Sequence, residues 1–322
     1  MRQDVASIVS GVRPFYETDS GAAYCGDSLK LLKKLPSKSI NLIMTSPPFA
    51  LRRKKTYDNV DANEYTDWFM PFAHEFYRVL CNDGSLVIHL GGSWIKDKPV
   101  KSIYLFELLV KLVKRGNLYL AQDLYWFNRA KLPTPAQWVT IKRCRLKDAV
   151  DHIWWLSKTP FPKADNRRVL KKYSQSMKEL LVNPNYYKPN VKRPSGHTIS
   201  DKFYKDNNGA IPANFLDFSN TDSKNKYLKM CKEHGLQPHP ARFPLELPAF
   251  FIRFLTERND VVLDPFGGSN TTGEAAERLK RRWITFEIKS EYLESSKLRF
   301  CQRLALGVGT IGEKTTKNKK RN

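Results

Sequence analysis

The chain is short of acid. Its 322 residues carry 32 aspartates and glutamates against 55 lysines and arginines, a formal net charge of +23. A field of that sign disfavours acidic small molecules and attracts polyanions, so nucleic acid is the expected partner. Cysteine pairing is lacking too: Cys25, Cys81, Cys144, Cys231 and Cys301 form no C-x-x-C. That excludes a zinc ribbon, offers no disulfide framework and fits a reducing, cytoplasmic, nucleoid-associated setting. The six histidines are dispersed, His239 in Gln-Pro-His-Pro reading as a turn residue, and no metal site is expected. No apolar run approaches the ~20 residues of a membrane span, and the N-terminus shows no signal-peptide core, so no membrane partner is expected.

What is present reads as one large α/β core. Residues 22–25 give a strand signal before Gly26-Asp27-Ser28, and Asp27 or Ser28 can cap a helix through Leu29, Leu31, Leu32 and Leu35. Ile40 to Met44 reads as a buried strand, Glu64 to Leu80 as a helix stopped by Asn82-Asp83-Gly84, and Ser85 to Leu90 as a strand. Ile103 to Val113 reads as a helix and Leu118 to Phe127 as a strand. This alternation predicts a doubly wound, mostly parallel sheet. From 128 to 238 the periodicity fades into a basic, proline-punctuated block with interleaved aromatics, expected to be an ordered insertion. Regular patterning returns at Phe243 to Leu255, Val261 to Leu263 and Trp283 to Phe286. The expected organisation is a catalytic half at 1–127, the insertion at 128–238, a cofactor half at 239–305 and a frayed basic tail at 306–322.

Two segments carry chemistry. Thr45-Ser46-Pro47-Pro48-Phe49 follows the strand Ile40 to Met44. An exocyclic base nitrogen is a poor nucleophile because its lone pair is delocalised into the ring, and acceptors on both N–H bonds help it turn pyramidal. Ser46 Oγ and the Pro47 carbonyl supply two acceptors in one place. Consecutive prolines aim that carbonyl by fixing φ, and Phe49 offers a face for a base taken out of the stack. No cysteine follows a proline, which argues against the Pro-Cys nucleophile of enzymes that methylate carbon 5 of cytosine.

The second segment is Asp264-Pro265-Phe266-Gly267-Gly268-Ser269-Asn270-Thr271-Thr272-Gly273, between a strand and a helix. The glycines allow tight backbone turns and close ligand approach, and the helix N-terminus favours an anionic group. It has neither the Walker lysine nor the spacing of G-x-G-x-x-G. Glu287 ends the next strand, where a carboxylate can accept two ribose hydroxyls.

With these residues in place, the chain resembles the DNA aminomethyltransferases of the beta-type order, target motif, recognition insertion, cofactor motif, and within them the N4-cytosine enzymes. The likeness covers nearly the whole chain, through Tyr24 to Ser28, Thr45 to Leu51, Asp123 to Asn128, His239 to Pro244 and Asp264 to Gly273. It implies the S-adenosylmethionine-dependent methyltransferase fold, circularly permuted, with S-adenosylhomocysteine as product. It implies a cofactor held by Thr45, by Asp264, Pro265, Phe266, Gly267, Gly268, Ser269, Asn270 and Thr271, by Glu287 at the ribose and by Asp27 near the adenine. Ser46, Pro47, Pro48 and Phe49 would hold a flipped base, with Tyr125 or Trp126 closing the pocket. Serine rather than Asp or Asn at position 46 favours cytosine N4; adenine N6, or a non-catalytic DNA-binding protein on the same scaffold, are the alternatives.

Between Arg129 and Lys147 there are six Lys or Arg and no acid. Lys131, Lys142, Arg143, Arg145 and Lys147, with Arg193, are therefore expected to meet double-stranded DNA, as phosphate contacts or guanine readers. Arg52, Arg53, Lys54 and Lys55 would steer the backbone beside the target motif. A separate cognate restriction endonuclease is a further expected partner.

Overall fold

The computed structural model describes residues 7–50, 60–183, 194, 196, 205–220 and 226–300. Its strands are β1 (Tyr16–Thr18), β2 (Gly21–Cys25), β3 (Ile40–Thr45), β4 (Leu80–Leu90), β5 (Tyr119–Phe127), β6 (Val150–Ser157), β7 (Phe215–Leu216), β8 (Val261–Asp264) and β9 (Arg282–Glu287). The helices are α1 (Ser28–Leu32), α2 (Tyr65–Val79), α3 (Tyr104–Lys114), α4 (Gln175–Val182), α5 (Lys226–Glu233), α6 (Glu246–Leu255), α7 (Thr271–Arg278) and α8 (Ser290–Lys297).

The strands form one sheet in the order β1-β2-β9-β8-β3-β4-β6-β5-β7. From β2 to β4 every neighbouring pair is parallel, while β1, β6 and β5 pair antiparallel with their inner neighbours. Alternation along the strands feeds two cores. Tyr24, Ile43, Ile88, Leu263 and Phe286 point to the layer of α1, α2 and α3. Ala23, Leu42, Val87, Val262 and Trp283 point to the layer of α6, α7 and α8. Helix α2 buries Tyr65, Phe69, Phe72, Phe76 and Val79 at helical spacing. Each such Phe, removed from water, contributes about 1.5–3 kcal/mol. Helix α6 carries Pro248 in its first turn, where a missing N–H forfeits no intrahelical bond.

The expected doubly wound, mostly parallel sheet is present, with two differences. Asn82-Asp83-Gly84 does not form a turn between helix and strand. The chain becomes extended at Leu80, and these residues bulge within β4, where the pairing jumps from Ile40↔Leu80 to Leu42↔Ser85. The block 128–238, expected to be an ordered insertion without regular patterning, contributes β6, which lies between β4 and β5 in the sheet. Residues Ile153 to Ser157 are buried on both faces, so this strand shows no alternation for the sequence to reveal.

Strand β8 neighbours β3 although the chain reaches it last but one, and its successor β9 lies on the far side from β4. The crevice beyond the C-terminal ends of β8 and β3 is thus the switch point of the sheet, where open α/β folds bind ligands.

Candidate active site

A cavity of about 560 Å³ opens at that switch point, lined by Ser46 to Phe49 on one bank and by Asp264 to Ser269 on the other. This size lies in the usual ligand-pocket range of roughly 300–1,000 Å³. The two banks are tied beneath the cavity floor. Thr45 Oγ1 donates to Asp264 Oδ1 at 2.8 Å, and Thr272 Oγ1 donates to Asp264 Oδ2 at 2.7 Å. The Phe266 backbone N–H also donates to Oδ1, at 3.1 Å. Burial pushes the Asp264 carboxyl up to about 6, the three donors opposing it. Asp264 and Thr45 therefore brace the site, and Thr45 does not line the cavity.

The glycine turn is needed first for its own geometry. A Cβ on Gly267 would lie 1.9 Å from Thr285 Oγ1, and Gly268 sits at φ +50° with the His239 ring 3.3 Å from where its Cβ would be. Gly268 N–H donates to Glu287 Oε2 at 2.8 Å, and Lys289 N–H donates to Oε1 at 3.0 Å. Burial raises the Glu287 pKa while these donors oppose the rise. Each oxygen retains a lone pair for a hydroxyl, so the fork suits the vicinal diol of a ribose. Asp27 caps α1, accepting from Lys30 N–H at 2.9 Å, and lines the same bank with Pro265, Phe266, Ser269 and Thr271.

Asn270 departs from expectation. It adopts φ +53° as the N-cap of α7, its oxygen accepting from Gly273 N–H at 3.0 Å and its amide donating to Tyr16 Oη at 2.9 Å. Its side chain is spent on the cap and faces away from the cavity. With Thr272 bound to Asp264, only Ser269 and Thr271 of these polar residues can face a cofactor carboxylate.

On the target bank Ser46, Pro47, Pro48 and Phe49 all line the cavity. Tyr65 Oη donates to the Pro48 carbonyl at 2.7 Å, fixing the second proline's peptide plane. Ser46 Oγ lies 3.0 Å from His89 Nδ1. Of the two residues expected to close the pocket, Trp126 does line it, its Nε1 donating to the Phe218 carbonyl at 2.9 Å. Tyr125 lies on the opposite face of β5, its hydroxyl donating to Asp123 Oδ2 at 2.8 Å. Successive strand residues face opposite ways, so both could not line one pocket.

The expected DNA contacts divide. Lys131 is turned inward, its ammonium against Asp151 Oδ1 and lining the cavity, not directed at phosphate. Arg145 is half-buried, donating to the Pro99 carbonyl at 2.9 Å with its guanidinium 4.4 Å from the Trp94 ring centre. It anchors the segment and is not presented as a base reader. Lys142 lies over Trp138 at 4.9 Å while remaining exposed, and Arg143 and Lys147 are exposed. Arg52, Arg53, Lys54, Lys55 and Arg193 lie outside the described residues.

Sequence reasoning missed His89, Asp151, Asn128, Asn220 and Arg242, all of which line the cavity. A signal existed for His89, an imidazole inside the apolar strand Leu86 to Leu90. For Asp151 there was none, because its strand was read as part of an irregular block. Among the described residues no cluster of His, Cys, Asp or Glu is arranged for a metal ion, and no helix is long and apolar enough to cross a membrane.

This arrangement, a Ser-Pro-Pro-Phe segment facing a glycine turn across one cavity, has counterparts among known proteins. The family described as DNA methylase (N6_N4_Mtase) matches residues 40–298, and the chain belongs to it. The chain is 51% identical to the type II methyltransferase M.PvuII of Proteus hauseri, over 90% of its own length and 86% of that protein's. The solved structure of the PvuII DNA methyltransferase (cytosine-N4-specific) superimposes with a TM-score of 0.73 at 45% identity, covering 90% of this chain and 89% of that one. At 17% identity the structure of M1.HpyAVI in complex with SAM shares the fold, with a TM-score of 0.52 over 87% of this chain and 98% of that one.

Proposed function

We infer that the chain is a site-specific DNA methyltransferase that transfers a methyl group from S-adenosylmethionine to the exocyclic N4 of cytosine. The observation that carries this is the pairing of Ser46-Pro47-Pro48-Phe49 with the Asp264 to Thr271 turn across one cavity, locked by the 2.8 Å Thr45–Asp264 hydrogen bond. The closest support for cytosine is the serine at position 46 together with the likeness to the cytosine-N4-specific enzyme.

The residues of the cofactor bank fit such a donor. Glu287 would take the ribose diol, Asp27 would meet the adenine, and Ser269 and Thr271 beside the N-terminus of α7 would meet the carboxylate. When bound, S-adenosylmethionine supplies a methyl group made electrophilic by its sulfonium. Ser46 Oγ and the Pro47 carbonyl accept the two amine hydrogens, directing the nitrogen lone pair at the methyl carbon. Phe49 and Trp126 provide the apolar walls, and Asn128 and Asn220 stand at the cavity edge with amide groups able to read a polar base edge.

N4 is out of reach within a duplex, so the base must leave the stack, and the exposed cations Lys142, Arg143 and Lys147, with Arg52 to Lys55 and Arg193, would hold the phosphates around the gap. The natural setting in this reading is a restriction-modification system, with a separate endonuclease cutting unmodified sites. The test is transfer of labelled methyl from S-adenosylmethionine to unmethylated plasmid DNA, with transcribed RNA of the same sequence alongside. Label in DNA alone is expected; label in RNA, or in neither, overturns the reading.

A further inference from the structure

We propose that His89 is the proton acceptor of the reaction, working through Ser46 and held for that task by Asp151. The proposal rests on the reading of Ser46 as the acceptor for the target amine.

A serine hydroxyl has one hydrogen and two lone pairs. Ser46 can present a lone pair to the amine only if its hydrogen is directed elsewhere. His89 Nδ1, 3.0 Å away, offers that direction provided it is unprotonated. The other ring nitrogen decides the matter. Nε2 is buried, has no hydrogen-bond partner among the described residues, and faces Asp151 Oδ2 at 3.6 Å. A carboxylate can only accept, so it favours the hydrogen on Nε2 and leaves Nδ1 bare. The order of roles resembles that of a serine, histidine and aspartate triad, with the serine here an acceptor and not a nucleophile.

Asp151 is built to stay anionic. It is 2% exposed, yet His89 and the Lys131 ammonium together hold its carboxyl below its ordinary value against the opposing effect of burial. Its two oxygens serve different partners, Oδ1 the lysine and Oδ2 the imidazole. The charged groups next to His89 are thus Asp151 from β6 and, behind it, Lys131 from the segment after β5. From the remaining directions aromatic rings enclose it: Phe49 at 5.4 Å, Trp126 at 5.3 Å and Phe243 at 6.3 Å, all edge to face. The close approach needs Gly91, since a Cβ there would lie 2.7 Å from Phe49 Cε2 and 3.3 Å from Asp151 Oδ1.

The step balances. The amine nitrogen forms a bond to the methyl carbon as the carbon–sulfur bond breaks, its electron pair passing to sulfur. The nitrogen, now cationic, gives one proton to Ser46 Oγ while the serine proton moves to His89 Nδ1. The outcome is a neutral methylated amine, an unchanged serine and an imidazolium beside Asp151, which returns its proton to solvent when the products leave.

The experiment is single-turnover methylation of unmethylated plasmid DNA by the full chain at saturating S-adenosylmethionine, followed across neutral pH. Wild type should gain rate as pH rises through one ionisation and then level off. His89→Asn keeps an oxygen able to accept the Ser46 hydrogen but cannot take a proton. It should lose about 10²–10³ in rate and the pH limb with it, while cofactor and DNA affinities change little. Asp151→Asn should move the limb to lower pH, because removing the anion destabilises the imidazolium. A near-normal rate or an unmoved limb in His89→Asn overturns the proposal. If that variant fails to fold, an unmoved limb in Asp151→Asn overturns it instead. Absence of any methylated base with wild type sinks the assignment of function itself, a separate result.

Discussion

The two banks of the cleft are built in different ways. Apart from Asp27 at the start of α1, the cofactor bank is one continuous stretch, strand β8, turn, helix α7 and strand β9, and its polar groups are satisfied mostly from within: Asp264 by Thr272 and Phe266, with Thr45 reaching it from the other bank, and Glu287 by Gly268 and Lys289. The target bank is gathered from separate strand ends, with Ser46 after β3, His89 in β4, Trp126 in β5 and Asp151 in β6. Its polar groups meet one another across the sheet, Ser46 with His89 and His89 with Asp151. A site made of one window can be lost only by deforming that window, whereas a site made of several strands depends on their register. The first kind suits a ligand that many chemistries share, the second a group that must be held for one reaction.

The largest expected effect falls on the target bank. Ser46→Ala removes one acceptor for the amine without changing the pocket's shape, and should cost about 10²–10³ in single-turnover rate with cofactor affinity unchanged by calorimetry. Loss of cofactor affinity in that variant would mean that the banks are not separable.

Next comes the brace between them. Burial raises the Asp264 carboxyl from 3.8 to about 6. A folded value above the unfolded one means that the folded state holds the proton more tightly. The stability it contributes is complete below the unfolded value and lost as pH rises through the folded one. A shift of that size corresponds to roughly 3 kcal/mol. Asp264→Asn lacks this titration, so wild-type minus variant unfolding free energy in urea should fall by about that amount between pH ~4 and pH ~7. A difference that stays level with pH would contradict the burial of this carboxyl.

Gly268→Val should act on the cofactor bank alone. The backbone is left-handed at φ +50° and the His239 ring stands against the added carbon, so the turn must shift. Strain of about 1–2 kcal/mol is expected, read as weaker S-adenosylmethionine binding in a folded protein. Unchanged affinity would show that the turn tolerates a side chain. The smallest effect separates Lys142 from Arg145. Lys142→Ala should lower the salt dependence of DNA binding by about one counterion and leave unfolding alone. Arg145→Ala should lower stability through the lost Trp94 and Pro99 contacts. Equal salt slopes in the two variants would erase the distinction.

The same contrast explains what could be read in advance. Strand, glycine turn and helix at Val261 to Arg278 announce themselves through local rules, a buried run and two glycines, although the capping role of Asn270 was not read there. Ser-Pro-Pro-Phe is equally local. His89 and Asp151 are not, because their meaning comes from strands β4 and β6 lying side by side, with His89↔Ile153 and Leu90↔His152 paired antiparallel. Tyr125 and Trp126 were equivalent in the sequence until the face of β5 was known. The lysines and arginines of the insertion looked alike as charges, yet Lys131 has a buried carboxylate to meet while Lys147 is exposed. Charge patterning gives the class of partner; burial decides which cations remain for it.

The central claim is that these banks together move a methyl group to one nitrogen of one base. It is tested most directly by incubating the chain with unmethylated duplex DNA and deuterated-methyl S-adenosylmethionine, digesting to nucleosides and weighing them. Labelled N4-methylcytosine, and no other labelled base, is the result expected. Label in N6-methyladenine or 5-methylcytosine, or none at all, would contradict the account.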